Sequence, residues 1–278
     1  MKILITGASG QVGMDLKAVL CKENQVFSFN KNQLDVTNLH QVFSTVHSIR
    51  PEVIIHAGAY TKVDEAEVNQ DLAFRINTFG TRNVTVAAER IRSKVLYIST
   101  DYVFDGKKDG SLHEFDQTGP ISVYGKSKLA GEEMVKTLTN RYFIVRTSWV
   151  YSKNGKNFVK TIQNPSKQKE ELFVVNDQLG SPTFSLDLAN FIYQLIKTDQ
   201  FGLYHVSNSG YCTWFEFAKA IIKILNIDTE LRPIVSSQFP HLAERPKNSS
   251  LDHMAICLNG FPEFRPWKEA LKNFLRDI

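Results

Sequence analysis

The chain has 278 residues, 42% hydrophobic and 22% charged, an ordinary globular balance that excludes disorder and collagen-like structure. Its 33 basic and 29 acidic residues leave a net charge of +4, too weak a bias to argue for nucleic acid as a partner. Cys21, Cys212 and Cys257 are odd in number and widely spaced, which fits a reducing compartment better than a disulfide scaffold and suits no zinc site. With no apolar run near the ~18 residues of a membrane span, and Ile3–Ile5 too short for a signal peptide, a cytoplasmic protein with no membrane partner is expected.

In chain order, short β-rich runs at Ile3–Ile5, Val26–Phe29, Val53–His56, Val95–Ser99 and Phe143–Arg146 alternate with helical stretches. Those stretches are about Gln11–Cys21, Leu39–Ile49, Asp71–Ile91 and Tyr124–Leu138. Strands separated by helix-length segments imply βαβ units and a doubly wound parallel sheet of the α/β class. The near-continuous apolar strands suit a sheet buried on both faces. Further on, Leu186–Ile196 reads as a helix and Tyr204–Val206 as a strand. Thr213 and Glu216 form a capping box opening a helix whose expected apolar face is Phe215, Ala218, Ile222 and Leu225. Pro233–Ser250 reads as loops, and Trp267–Leu275 as a last helix. A boundary near residue 150 is expected, with residues 1–150 a nucleotide-binding domain to which later segments return. Residues 151–278 would be mainly a smaller α/β lobe, with a cleft between the two.

Gly7-Ala8-Ser9-Gly10-Gln11-Val12-Gly13 follows the first strand and opens the first helix. Glycines here let the backbone approach a diphosphate, and the helix N-terminus offers free N–H groups to the anion. Gly13 lets the helix pack closely on the strand. The acid expected some 20 residues on, at the cofactor ribose, is not at the end of the second strand, where Asn30-Lys31-Asn32 stand instead. Asp35 follows, and capping a helix is its simplest role. Lys31 beside a ribose 2′-phosphate points to NADPH and leaves NADH open.

Tyr124 and Lys128 form Y-x-x-x-K, which puts both side chains on one helix face. A free tyrosine titrates near pH ~10, and an adjacent ammonium would bring the phenol toward the working pH. Tyr193 and Lys197 share the spacing, but their apolar neighbours make Tyr193 structural. Tyr124 differs because Ser99-Thr100-Asp101 ends a strand, where parallel sheets place ligands. Thr100 is then positioned to bond the same substrate oxygen.

At these residues the chain resembles the extended short-chain dehydrogenases/reductases, with their Rossmann-type sheet. Further blocks narrow the likeness to the dTDP-4-dehydrorhamnose reductase family. They are Asp101-Tyr102-Val103-Phe104-Asp105-Gly106, Tyr124–Glu132, Arg146-Thr147-Ser148-Trp149-Val150-Tyr151 and Gly180-Ser181-Pro182-Thr183. His56-Ala57-Gly58-Ala59-Tyr60-Thr61, Val63-Asp64, Glu114-Phe115-Asp116 and Arg245-Pro246 belong with them. The resemblance implies NADPH-dependent reduction at C4 of a dTDP-4-keto-6-deoxy-L-sugar, giving dTDP-L-rhamnose for cell-surface polysaccharide. It implies Tyr124 as proton donor, Thr100 as stabiliser of the alkoxide, and Lys128 as tuner of Tyr124 and ligand of the cofactor ribose. It places Asp101, Tyr102, Val103, Trp149, Asn157 and Arg245 at the sugar. It places Gly10, Gln11, Val12, Asp35, Val36, Ala57, Gly58, Ala59 and Tyr60 at the cofactor. Val103, Phe104 and Trp149 serve equally as core, and Asp64 as a helix cap.

Two positions set the chain apart. Nucleotide-sugar dehydratases carry Thr-Asp-Glu where Thr100-Asp101-Tyr102 stands, and without that glutamate an elimination lacks its base. The family usually has alanine in place of Gly58. Some members dimerise through magnesium held by glutamates; Asp15 fits one ligand position and the rest are not found, so both monomer and homodimer remain open. Competing readings are a nucleotide-sugar epimerase with tightly held NAD and a non-catalytic dinucleotide-binding regulatory subunit.

Overall fold

The computed structural model describes residues 1–166 and 171–276. Six parallel strands form its central sheet: β1 (Lys2–Thr6), β2 (Gln25–Phe29), β3 (Val53–His56), β4 (Lys94–Thr100), β5 (Tyr142–Thr147) and β10 (Gly202–His205). Their spatial order is β10-β5-β4-β3-β1-β2, so the winding reverses between β1 and β3. Register is fixed by apolar pairs: Ile3 faces Val26 on one side and Val53 on the other, and Leu96 faces Phe143. Ile3, Leu4, Ile5, Val53, Ile54 and Ile55 are fully buried, as strands covered on both faces require.

Helices α1 (Gln11–Leu20), α2 (Leu39–Ile49), α5 (Thr81–Arg90) and α6 (Val123–Leu138) cover the sheet. Asp35 does not cap α2. Asn38 does, accepting from the Gln41 amide, while Asp35 Oδ1 accepts from the Thr37 amide and hydroxyl. The expected helix 71–91 is also three pieces: α4 (Gln70–Phe74), a wide π-helical turn at Arg75–Gly80, and α5. Buried polar side chains account for the widening. Asn77 bonds the Tyr60 backbone and donates to Ser127 Oγ at 2.9 Å, while Thr78 Oγ1 donates to the Ser127 carbonyl at 3.0 Å.

Residues beyond 150 build two cores. Leu188, Ile192, Leu195 and Ile196 of α8 (Ser185–Ile196), with Tyr204, Val206 and Ile256, pack with Ile3, Leu16 and Phe143 beside the main sheet. A second cluster gathers Tyr151, Val159, Phe184, Phe217, Ile221, Trp267 and Phe274. It includes α9 (Trp214–Leu225) and α11 (Trp267–Arg276). The capping box at Thr213 and Glu216 forms, but α9 turns Phe217 and Ile221 inward beside Ala218 and Ile222, leaving Phe215 and Leu225 half-buried. The rotation seats Phe217 edge-on against Trp267 and beside Tyr151. The stretch Pro233–Ser250 is not wholly loop, because Pro233 and Ile234 close a strand, β12 (Glu230–Ile234), paired parallel to β7 (Glu171–Val175). Tyr193 bonds Glu23 on the outer surface.

The loop 152–157 is fastened to α1. Asp15 accepts from Ser152 Oγ at 2.7 Å and from Asn154 Nδ2 at 3.1 Å, and Asn157 Nδ2 donates to Gln11 Oε1 at 3.1 Å. Asp15 is thereby committed to the loop, and among the described residues no three His, Cys, Asp or Glu side chains gather to hold a metal.

Candidate active site

The carboxyl ends of β1, β3, β4 and β5 open into a cleft of about 1000 Å3 at the point where the strand order reverses. At one end lies the glycine turn. Gly7 has φ +70°, and a Cβ there would fall 2.5 Å from the Gly58 nitrogen, so only glycine closes this turn. Gly10 caps α1 without a side chain, which leaves the first amides of the helix to an incoming anion. Gly7, Gly10, Gln11, Val12, Gly13, Lys31, Asp35, Val36, Ala57, Gly58 and Ala59 all line the cleft. A bare backbone cradle leading to a helix N-terminus fits the diphosphate of a dinucleotide. Tyr60 turns away: its hydroxyl donates to Glu65, and its ring joins Ala66, Ala73 and Val123.

β4 delivers Thr100 and Asp101 to the middle of the cleft. Thr100 Oγ1 donates to Asp101 Oδ1 at 3.0 Å and accepts from the Tyr102 amide at 3.2 Å. Asp101 also accepts from Ser148 Oγ at 3.1 Å. Its burial pushes the carboxyl up to about 6, against the pull of hydrogen bonds from Ser249, Thr100 and Ser148.

α6 brings Tyr124 to the same place. Ser122 caps it by accepting from the Gly125 amide, and a Cβ at Gly125 would lie 2.1 Å from the Tyr102 carbonyl. Glycine thus lets the helix press onto the turn Asp101–Val103, with the Tyr124 ring edge-on to Tyr102 at 5.8 Å. Burial pushes the Tyr124 phenol up to about 12, while the Thr100 hydroxyl pulls it down. The expected help from Lys128 is absent here, because its Nζ donates to the Ile98 carbonyl at 2.6 Å, over the Tyr97 ring. Burial lowers Lys128 to about 7, opposed by Glu132 one turn along. Glu132 itself is buried, bonded twice by Arg146 at 2.9 and 2.7 Å and by Ser99 Oγ at 2.5 Å.

The far end of the cleft is aromatic. Trp149 lines it together with Trp214, the first residue of α9, and their rings stack 3.4 Å apart and 7° from parallel. Of the remaining sugar-site candidates, Tyr102 lines the cleft. Val103 is fully buried with Phe104, Leu112 and Leu251 and belongs to the core instead. The Asn157 amide is spent on Gln11 and the Ser152 carbonyl. Arg245 is paired with Asp64 beside Tyr102, whose phenol burial pushes up and the Arg245 charge pulls back. Asp64 therefore caps nothing: it accepts from Arg245 and from the Leu242 and Ala243 amides.

Trp214, Lys156 and Arg75 line the cleft without having been named as site residues from the sequence, and Thr147 of the Arg146–Tyr151 block joins them. The capping box placed Trp214 at a helix start, but no local pattern says which strand end that helix meets. Lys156 stands in a short lysine, asparagine and glycine loop that reads as solvated surface.

The RmlD substrate binding domain model matches residues 1–278. The dTDP-4-dehydrorhamnose reductase of Aggregatibacter actinomycetemcomitans is 40% identical over 286 residues, covering 98% of this chain and 97% of that protein. Spore coat polysaccharide biosynthesis protein SpsK of Bacillus subtilis is 38% identical over 277 residues, covering 99% and 97%. The crystal structure of a Bacillus anthracis dTDP-4-dehydrorhamnose reductase in complex with NADP superposes with a TM-score of 0.98 at 48% identity, over 100% of this chain and 99% of that one.

Proposed function

The chain belongs to the RmlD substrate binding domain family, that of the dTDP-4-dehydrorhamnose reductases, and we propose that it reduces the C4 ketone of dTDP-4-dehydro-L-rhamnose with NADPH, yielding dTDP-L-rhamnose. The observation that carries the reading is the meeting of Thr100 and Tyr124 in the cleft that also holds the glycine turn.

The cofactor, when bound, supplies the hydride. Gly10, Gln11 and Val12 would receive its diphosphate on their amides, and Ala57, Gly58 and Ala59 would flank it. Lys31, two residues past the end of β2, would meet a 2′-phosphate, and Lys128 would hold ribose hydroxyls. At the sugar, Thr100 Oγ1 and the Tyr124 hydroxyl converge on the carbonyl oxygen. As negative charge grows there, Tyr124 donates its proton and the Thr100 hydroxyl turns its own proton from Asp101 to that oxygen. A phenol held near 12 is fully protonated at neutral pH, the state a proton donor needs. Reduction consumes one hydride and one proton, so it has no use for the glutamate that dehydratases carry where Tyr102 stands. Asp101 and Tyr102 face the same sugar. No helix among the described residues is long and apolar enough to cross a membrane, and the substrate is a small nucleotide sugar.

The test is a coupled assay. Purified protein is mixed with NADPH and dTDP-4-dehydro-6-deoxy-D-glucose, with a 3,5-epimerase supplying the L-sugar. NADPH absorbance should fall and dTDP-L-rhamnose should appear; no oxidation above the enzyme-free control overturns the reading.

A further inference from the structure

Lys156 stands between two residues that both touch the Gln11 side chain. Gly155, at φ +71°, comes so close that a Cβ there would lie 3.0 Å from Gln11 Cγ. Asn157 Nδ2 donates to Gln11 Oε1 at 3.1 Å. The rest of the loop is held as firmly. Asn157 Nδ2 also donates to the Ser152 carbonyl at 2.8 Å, and Asn157 Oδ1 accepts from the Lys160 amide at 3.2 Å. Lys160 Nζ donates to the carbonyls of Lys153 and Gly155 at 2.6 and 3.1 Å. Lys156 is thereby set at the first turn of α1, where Gly10 gives no side-chain cap and no acid stands. Its exposed side chain lines the cleft with Gln11 and Val12, and among the described residues no acid pairs with it. Asp15, the acid of α1, is taken by Ser152 and Asn154.

We infer that Lys156 is a cofactor-binding residue whose ammonium closes over the dinucleotide diphosphate, so that the anion is held between the α1 amides and the loop 152–157. The inference rests on the cofactor part of the reading above. A helix N-terminus offers only about half a positive charge, less than a diphosphate needs. A full cation on a long, flexible stem supplies the remainder through charge-assisted hydrogen bonds. The other cations lining the cleft stand elsewhere: Lys31 beyond β2, Arg75 at the wide turn, and Lys128 on the Ile98 carbonyl. NADPH and NADH share the diphosphate and differ at the 2′-phosphate. Lys156 therefore strengthens both alike, whereas Lys31 bears on the choice between them.

The experiment is equilibrium titration of the full chain with NADPH, NADH and dTDP, each alone. Lys156→Met should weaken NADPH and NADH by the same factor, about fivefold at low salt, and the gap should close as salt rises. Lys156→Arg should keep most of the affinity. dTDP should bind as before, and the Tm without ligand should not move, because the side chain is exposed. Unchanged affinity for both dinucleotides in Lys156→Met would overturn the inference. So would a loss confined to NADPH, which marks a contact with the 2′-phosphate, or a loss of dTDP affinity, which marks the diphosphate of the sugar nucleotide. No sugar is present in these titrations. An unmodified protein that binds NADPH yet fails to reduce the sugar would therefore overturn the reductase reading and leave this inference standing.

Discussion

The Asp64 carboxylate grips the Arg245 guanidinium with hydrogen bonds of 2.8 and 3.2 Å across 181 positions of sequence. This contact, with the Leu242 and Ala243 amides on the same carboxylate, ties the late segment 242–245 to the rim of the cleft beside Tyr102. The Arg245 hydrogen bond, aided by the Ala243 amide, holds Asp64 down at about 2, below its ordinary 3.8. A depressed carboxylate contributes stability that is present above pH 3.8 and lost as pH falls through about 2. With 40% of the side chain exposed, solvent screening leaves about 1 kcal/mol of that. Asp64→Asn should therefore lower Tm at neutral pH by about 2–4 °C. Sugar-nucleotide KM should rise as well, since Arg245 loses its anchor. An unchanged Tm and KM would show that the bond does neither.

Tyr124 is held protonated by burial, with the Thr100 hydroxyl beside its phenol in the cleft. Tyr124→Phe should cut kcat by ~10²–10⁴ while NADPH affinity, measured by fluorescence titration, stays the same. A variant that turns over like the parent would remove Tyr124 from the chemistry.

Lys128 carries a pH signature in the fold itself. Burial brings it from 10.5 to about 7, so between those values the unfolded chain holds a proton that the folded chain lacks. Stability therefore gains with rising pH across that window, by at most ~1.4 kcal/mol per pH unit from this group. Lys128→Met should flatten the slope, read from urea unfolding at several pH values in the window. It should also raise KM for NADPH, because the amine meant for the ribose hydroxyls is gone.

The features that the sequence disclosed are those encoded in short spacings. Gly7–Gly13 needs only a strand before it and a helix after it, and Tyr124 with Lys128 only one turn of α6. What escaped depends on where distant segments meet. The wide turn at Arg75–Gly80 exists because Asn77 and Thr78 bond Tyr60 and Ser127, partners up to 50 positions away. Trp214 reaches the cleft only because the second core sets α9 against the end of β5. Val103, which the resemblance puts at the sugar, takes its other reading as core for a related reason. It sits one residue from Tyr102, which lines the cleft, but the tight turn at Asp101–Val103 sends its side chain inward to Leu112 and Leu251.

Gly58 and Gly7 touch across the cofactor turn and should answer substitution in opposite ways. A Cβ at Gly58 meets Thr6 Oγ1 at 3.4 Å and the Gly7 nitrogen at 3.5 Å, ordinary contacts, and its φ lies outside the left-handed region. Alanine there removes conformational freedom from the unfolded chain at no steric cost, so Gly58→Ala should stabilise by ~0.4–1 kcal/mol. A Cβ at Gly7 would strike the Gly58 nitrogen and Cα at 2.5 and 2.6 Å, on a backbone with φ +70°. Those atoms are main chain and cannot swing aside, so Gly7→Ala must open the turn and pull the amides of α1 away from a bound diphosphate. Thermal unfolding with and without NADP separates the two. Gly58→Ala should keep the full shift on NADP addition from a higher starting Tm, whereas Gly7→Ala should start lower and lose most of the shift. A reduced NADP shift in Gly58→Ala would mean that the cofactor needs the space which the missing methyl leaves.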